Sequence, residues 1–185
     1  WGFKFYPFEN VVDPKLFFRS SVHQEALIRI MYAIKNNKGI GVLSGEVGSG
    51  KTTIISYVCA LIARYGYQII NFEAPLFRRW EFYKEVVNQF GAAVPAVAGG
   101  SVSQVAIIEQ LRDILLRQVR NGAGSVVFID EIQLVEDEGV FEEIRLLSNL
   151  VSNGRNLVTQ ILVGQPQVLK KLESMPNFQQ RVAIN

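Results

Sequence analysis

Short apolar runs alternate along the chain with longer segments in which apolar residues recur at helical spacing. Residues 40–43, 68–72, 125–129 and 157–163 are brief, mostly apolar stretches bounded by Gly, Pro, Asn or charged residues, and they predict strands. The run at 125–129 is continuous and rich in β-branched residues, which fits a strand buried on both faces of a parallel sheet. A fifth strand-like run begins at Arg181 and stops at the last residue. Between these lie predicted helices. The first spans about 22–35, with Ala26, Leu27, Ile30, Met31 and Ile34 on one face, Ser20 or Ser21 as cap and Glu25 in the first turn. Others cover 51–65, 79–90, 101–119 (capped by Ser101 or Ser103) and 139–151, with short helical pieces over 167–180. Residues 1–19 carry aromatics broken by Pro7 and Pro14 and predict an extended segment packed onto the body; 91–100 predicts a loop. Strands alternating with helices imply one α/β domain, a parallel sheet covered on both faces.

Between the first strand and its helix lies Gly45-Glu46-Val47-Gly48-Ser49-Gly50-Lys51-Thr52, followed by Thr53. This is the P-loop pattern in its required strand–turn–helix setting. Gly45, Gly48 and Gly50 let the backbone curl so that successive N–H groups face an anion. The helix start adds its positive dipole end. Lys51 would reach the β- and γ-phosphates of a nucleotide, and the Thr52 hydroxyl would ligate Mg²⁺.

Composition limits the picture without redirecting it. The 185 residues carry a formal net charge of +2, with 49% hydrophobic and 19% charged residues, as in an ordinary globular domain. Charge alone therefore points to neither nucleic acid nor an anionic membrane. The one cysteine, Cys59, falls within the apolar helix after the P-loop and reads as a core thiol. No run approaches a membrane span, and no signal peptide is visible. The first residue is Trp rather than Met, so a processed chain or a fragment is expected, continuing past Asn185.

Ligands of open α/β sheets sit beyond the carboxyl ends of the strands. Asp130 ends the third strand, where a Walker-B aspartate would hold Mg²⁺ through water, and Glu131 follows as a carboxylate able to orient and deprotonate an attacking water. Gln165, past the fourth strand, is placed to hydrogen-bond the γ-phosphate or that water. Asn71, ending the second, is a candidate to reach and restrain Glu131. Arg181 is either a surface arginine or one aimed at a neighbour's nucleotide.

Together these residues resemble the AAA+ ATPases, and within them the ExeA/GspA-like secretion ATPases. The likeness also draws on Asp13-Pro14-Lys15-Leu16-Phe17-Phe18, on Ser21 to Leu27 with His23, on Leu146 to Leu150, and on Gln160 to Pro166. The resemblance implies a P-loop NTPase three-layer sandwich with strand order 5-1-4-3-2. It implies Gln165 as sensor 1, Asn71 as the glutamate switch and Arg181 as an arginine finger for the adjacent subunit. It places residues 1–38, His23 included, over the adenine pocket, and residues 39–185 as the part from Walker A to the finger; the expected departure from the family is at the C-terminus, where a helical lid with its sensor-2 arginine is absent. ATP and Mg²⁺ are the implied ligands, and a homo-oligomeric ring or filament and a membrane or secretion protein the implied partners. The implied setting is the cytoplasm or the cytoplasmic side of the inner membrane, energising or regulating assembly of an envelope secretion or pilus system.

Two other classes compete. One is an AAA+ regulator of DNA transposition or replication, for which Arg112, Arg117 and Arg120 would supply a basic stripe that Glu109 and Asp113 interrupt. The other is an ATP-gated binding module with little hydrolysis. A small-molecule kinase is weaker, lacking an arginine-rich acceptor lid. No Asn-Lys-x-Asp string is present, which favours ATP over GTP.

Overall fold

A computed structural model describes residues 17–72, 81–94 and 103–184. The expected extended segment before Phe17, the Ser101 cap, the start of the helix at Arg79 and much of the 91–100 loop lie outside the described residues. In chain order the elements are α1 (Ser21–Lys35), β1 (Ile40–Ser44), α2 (Lys51–Ala63), β2 (Gln68–Phe72), α3 (Glu81–Gln89), α4 (Gln104–Arg120) and β3 (Ser125–Ile129). A single 3-10 turn (Ile132–Leu134) then leads to α5 (Glu138–Leu147), β4 (Val151–Ser152), β5 (Arg155–Asn156), β6 (Thr159–Gly164), α6 (Gln167–Glu173), α7 (Pro176–Gln179) and β7 (Val182–Ile184).

The main sheet has five strands in the order β2-β3-β6-β1-β7. Every pairing is parallel. Numbering its strands along the chain and reading from the β7 edge gives 5-1-4-3-2, the order the resemblance implied. Side-chain alternation divides the core in two. Val126, Phe128, Ile161, Val163 and Leu43 pack on α1 and α2. Val127, Ile129, Leu162, Val42, Ile70 and Phe72 pack on the helices of the other face. At roughly 1.5–3 kcal/mol for each fully buried large apolar side chain, these two layers are the main force holding the sheet.

Local chemistry explains the element ends. The Ser20 and Ser103 hydroxyls accept hydrogen bonds from His23 N and Ala106 N, capping α1 and α4. Gly41 in mid-strand leaves room for Ile184, whose Cγ1 would lie 2.9 Å from an added Cβ, so β7 packs closely against β1. The expected helix over 139–151 stops short, at Leu147. Beyond it the chain forms the β4–β5 antiparallel hairpin, turning through Asn153 and Gly154 at φ 50° and 73°. Asn-Gly favours this two-residue turn strongly enough to override the helical spacing before it. Leu157 N then donates to Leu150 O at 2.8 Å, so the fourth long strand starts at Thr159 rather than 157.

Tyr83, buried in α3, donates its hydroxyl to the Glu143 carbonyl at 2.9 Å and ties α3 to α5. Burial first, and then the neighbouring Glu143 charge, push its phenol far above the usual range. Burial pushes the Cys59 thiol up to about 11. At pH 8 that thiol is therefore almost wholly protonated, and the thiolate is the reactive form. Cys59 is expected to resist iodoacetamide in the folded protein and to react at a free-thiol rate in denaturant. Mass spectrometry of the alkylated chain checks this, and equal rates in both states would contradict the packing described.

Candidate functional site

The glycine-rich loop connects Ser44 to Lys51. Gly48 and Gly50 take φ 76° and 84°, the left-handed region that glycine enters without penalty. Gly45 serves differently: its φ is not positive, and an added Cβ would stand 2.6 Å from Ser49 Oγ, so the requirement there is space. Ser49 N donates to Glu46 O at 3.1 Å, which closes the curl. The N-cap of α2 is Gly50, with no side chain to satisfy the first turn, whereas α1, α4 and α5 have Ser20, Ser103 and Asp137. Among the described residues, no protein acceptor meets the N–H groups of Gly48, Gly50, Lys51 or Thr52. These free donors and the helix dipole suit an anion. Lys51 is largely buried and folds back over the loop, its Nζ donating to Gly45 O at 2.8 Å and Glu46 O at 3.0 Å.

The same rim of the sheet gathers the other candidates. β6 lies between β1 and β3 and aligns Ser44 with Gly164 and Ile129 with Leu162. Asp130 and Gln165 therefore flank the base of the glycine loop. Three hydrogen bonds stitch this rim: Gly45 N to Gly164 O (3.1 Å), Asp130 N to Phe72 O (2.9 Å) and Gln165 N to Gln133 Oε1 (3.0 Å). Val126 and Phe128 face α2, and alternation assigns the next position on that side to Asp130. The Asp130 carboxylate accepts Glu131 N at 2.8 Å. Glu131 holds φ 52°, uncommon for a residue with a side chain, and its Oε2 accepts a hydrogen bond from Gln133 Nε2. Gln133 was not singled out in the sequence, where its place two residues after Glu131 is the signal that could have found it.

His23 lies on the loop: Nε2 is 2.9 Å from Ser49 O and Nδ1 is 3.1 Å from Phe18 O, so the ring joins the segment before α1 to the loop backbone. An added Cβ at Gly50 would be 3.2 Å from that Nε2. Phe17 continues the contact, with ring centroids 5.6 Å from His23 and 5.0 Å from Tyr57 of α2. Asn71 is exposed on the edge strand and makes no hydrogen bond to Glu131. Phe72, one residue on, ends β2 and bonds Asp130 through its carbonyl. Gln133 takes the contact at Glu131 that the sequence reading assigned to Asn71.

Arg181 is exposed at the opposite rim, because Val182 aligns with Ile40 at the start of β1. With about 3.3 Å per residue, β1 alone separates it from its own glycine loop by roughly 13 Å. Arg112, Arg117 and Arg120 are exposed on α4. Among the described residues, no helix is long and apolar enough to cross a membrane, and no group of three or more His, Cys, Asp or Glu side chains could hold a metal ion.

A cleft of about 170 Å³ opens beside Ser44, lined by Val22, Ala26, Ile30, Val42, Leu43 and Ile184, with the Glu25–Arg29 pair also on its wall. A larger cleft of about 360 Å³ lies between the start of α5 and the Met175–Phe178 stretch, away from the rim that carries the candidate residues. The smaller one is the better candidate for part of the site, since it adjoins the glycine loop.

Comparison with known proteins agrees with this fold. The chain is 30% identical over 166 residues to General secretion pathway protein A of Aeromonas hydrophila, covering 90% of this chain and 29% of that protein. It therefore spans less than a third of the relative's length. Among solved structures, it is similar to the ORC2 protein of Aeropyrum pernix in ADPNP and ADP complexes, with TM-score 0.65, 20% identity, and coverage of 96% of this chain and 49% of that one. Cdc6p from Pyrobaculum aerophilum gives TM-score 0.69 at 15% identity, over 96% of this chain and 47% of that one. At these identities the structural likeness establishes the fold alone. The family model for the AAA domain matches residues 34–172, from the end of α1 through most of α6, and the chain belongs to the AAA domain family.

Proposed function

We propose that the chain binds ATP with Mg²⁺ and hydrolyses it. The observation that carries this reading is the uncapped start of α2, with its free amides and Lys51, on the rim where β3 ends in Asp130-Glu131. Gly45 to Thr53 would wrap the phosphates. Lys51 would exchange the Gly45 and Glu46 carbonyls for phosphate oxygens, a low-cost exchange because its ammonium is already held at the site. The hydroxyl of Thr52 and the carboxylate of Asp130 would hold Mg²⁺, which when bound neutralises charge on the β- and γ-phosphate oxygens. Glu131 takes the proton of the attacking water as its oxygen bonds to the γ-phosphorus and the bond to the β–γ bridging oxygen breaks. Gln165 hydrogen-bonds the γ-phosphate or that water. His23 shapes the loop through the Ser49 carbonyl, and residues 17–38 with the cleft beside Ser44 form the adenine side. Arg181 serves the site of a neighbouring copy.

Lys51→Ala is expected to weaken ATP binding by about tenfold to a hundredfold. That corresponds to the roughly 1.5–3 kcal/mol of a charge-assisted hydrogen bond. Fluorescent-nucleotide titration measures the loss, and phosphate release with and without EDTA checks the Mg²⁺ requirement. Unaltered nucleotide affinity in the Lys51 variant, with EDTA-insensitive turnover, would remove this reading. The similarity to General secretion pathway protein A supports coupling of the ATPase to assembly of an envelope secretion system, through a membrane or secretion protein as partner.

A further inference from the structure

We infer that Gln133 is a positioning residue that holds the Glu131 carboxylate and links it to Gln165; this rests on the reading of the site as an ATPase. Both ends of its amide are in use. Nε2 donates to Glu131 Oε2, and Oε1 accepts Gln165 N at 3.0 Å. One side chain thus spans from the residue that takes the proton to the residue that meets the γ-phosphate. Gly164 makes the span possible: a Cβ there would stand 2.6 Å from Gln133 Oε1. The last residue of β6 is bare where the amide crosses.

The support beneath Gln133 is rigid. It sits in the 3-10 turn between Ile132 and Val135, both buried in the core. Leu134 N returns to Glu131 O at 2.9 Å, and Lys171 Nζ of α6 donates to Val135 O. Glu131 itself is fixed in a left-handed backbone conformation, so its side chain leaves the turn in a set direction. A glutamate has three side-chain torsions, and one hydrogen bond to Oε2 removes most of that freedom while leaving Oε1 for water. Placement of this kind raises kcat and leaves nucleotide affinity alone. Because the other end of the amide rests on the Gln165 backbone, a shift of Gln165 on meeting the γ-phosphate is passed directly to the base.

The test compares Gln133→Leu and Gln133→Glu in the full chain, each also combined with Glu131→Gln. Gln133→Leu removes both hydrogen bonds at similar length. Gln133→Glu keeps the acceptor for Gln165 N and sets a like charge against Glu131, and it covers the case in which the leucine variant fails to fold. In single-turnover ATP hydrolysis each is expected to lower the rate constant on the order of tenfold to a hundredfold. Affinity for a non-hydrolysable ATP analogue should stay within about threefold, and neither substitution should slow the residual rate of Glu131→Gln further. Unchanged rates, a matching loss of affinity, or an equal further loss in the Glu131→Gln background would overturn the assignment. Turnover that Lys51→Ala leaves intact would instead bring down the ATPase reading, and this inference with it, in a control where Gln133 is untouched.

Discussion

Arg181→Ala is expected to lower kcat for ATP by about 10³–10⁵, the range in which an arginine supplied to a transferring phosphoryl group acts. ATP affinity should change little, because Arg181 lies at the rim opposite its own glycine loop. On the proposed reading, its guanidinium would complete a site on another copy. Specific activity of the unaltered chain should then rise with protein concentration, and that of the variant should not. Mixing provides the sharper check. Arg181→Ala has an intact loop and no finger; Lys51→Ala has a damaged loop and an intact finger. Combined, they should recover a substantial fraction of activity that neither shows alone. Concentration-independent turnover, equal in the unaltered and Arg181→Ala chains, would leave Arg181 an ordinary surface residue.

Glu131→Gln should separate binding from chemistry. The amide keeps the size of the carboxylate and loses the ability to accept a proton. Hydrolysis is expected to fall by about 10²–10⁴, the usual contribution of a general base, with ATP still bound. The variant should accumulate an ATP-bound state that a filter-binding assay detects after the unaltered chain has turned over. Should Glu131→Gln hydrolyse ATP normally while Lys51→Ala does not, the proton must go elsewhere. Asp130 would then be the nearest carboxylate to examine, since its oxygen already touches the Glu131 amide.

Much of this could be read from residue order because the governing forces are local. A continuous apolar run such as 125–129 has few stable fates other than a central parallel strand, and β2 and β3 have the bounds the pattern predicts. The glycine loop is legible because each glycine meets a backbone or steric demand. Where the reading failed, a short-range turn outweighed periodicity: Asn153-Gly154 ended a helix that apolar spacing would have extended to Val151. The link between Glu131 and Gln165 was hidden for another reason. It depends on Gly164 being bare beneath a side chain more than thirty positions earlier, a relation no spacing rule encodes. Asn71 was a reasonable candidate by its strand end, but parallel register sets Phe72, not Asn71, beside Ile129.

If Arg181 serves a neighbouring copy, its separation from Gly45 along β1 also determines how copies would join. A contact that brings one copy's Arg181 rim onto the next copy's loop rim uses two different surfaces, so it is directional. In such an assembly each copy would donate at one pole and receive at the other. Unless the rotation between neighbours brings the last copy back to the first, such a stack always keeps one receiver without a donor, so one end copy would hold nucleotide without turning it over while the others continue.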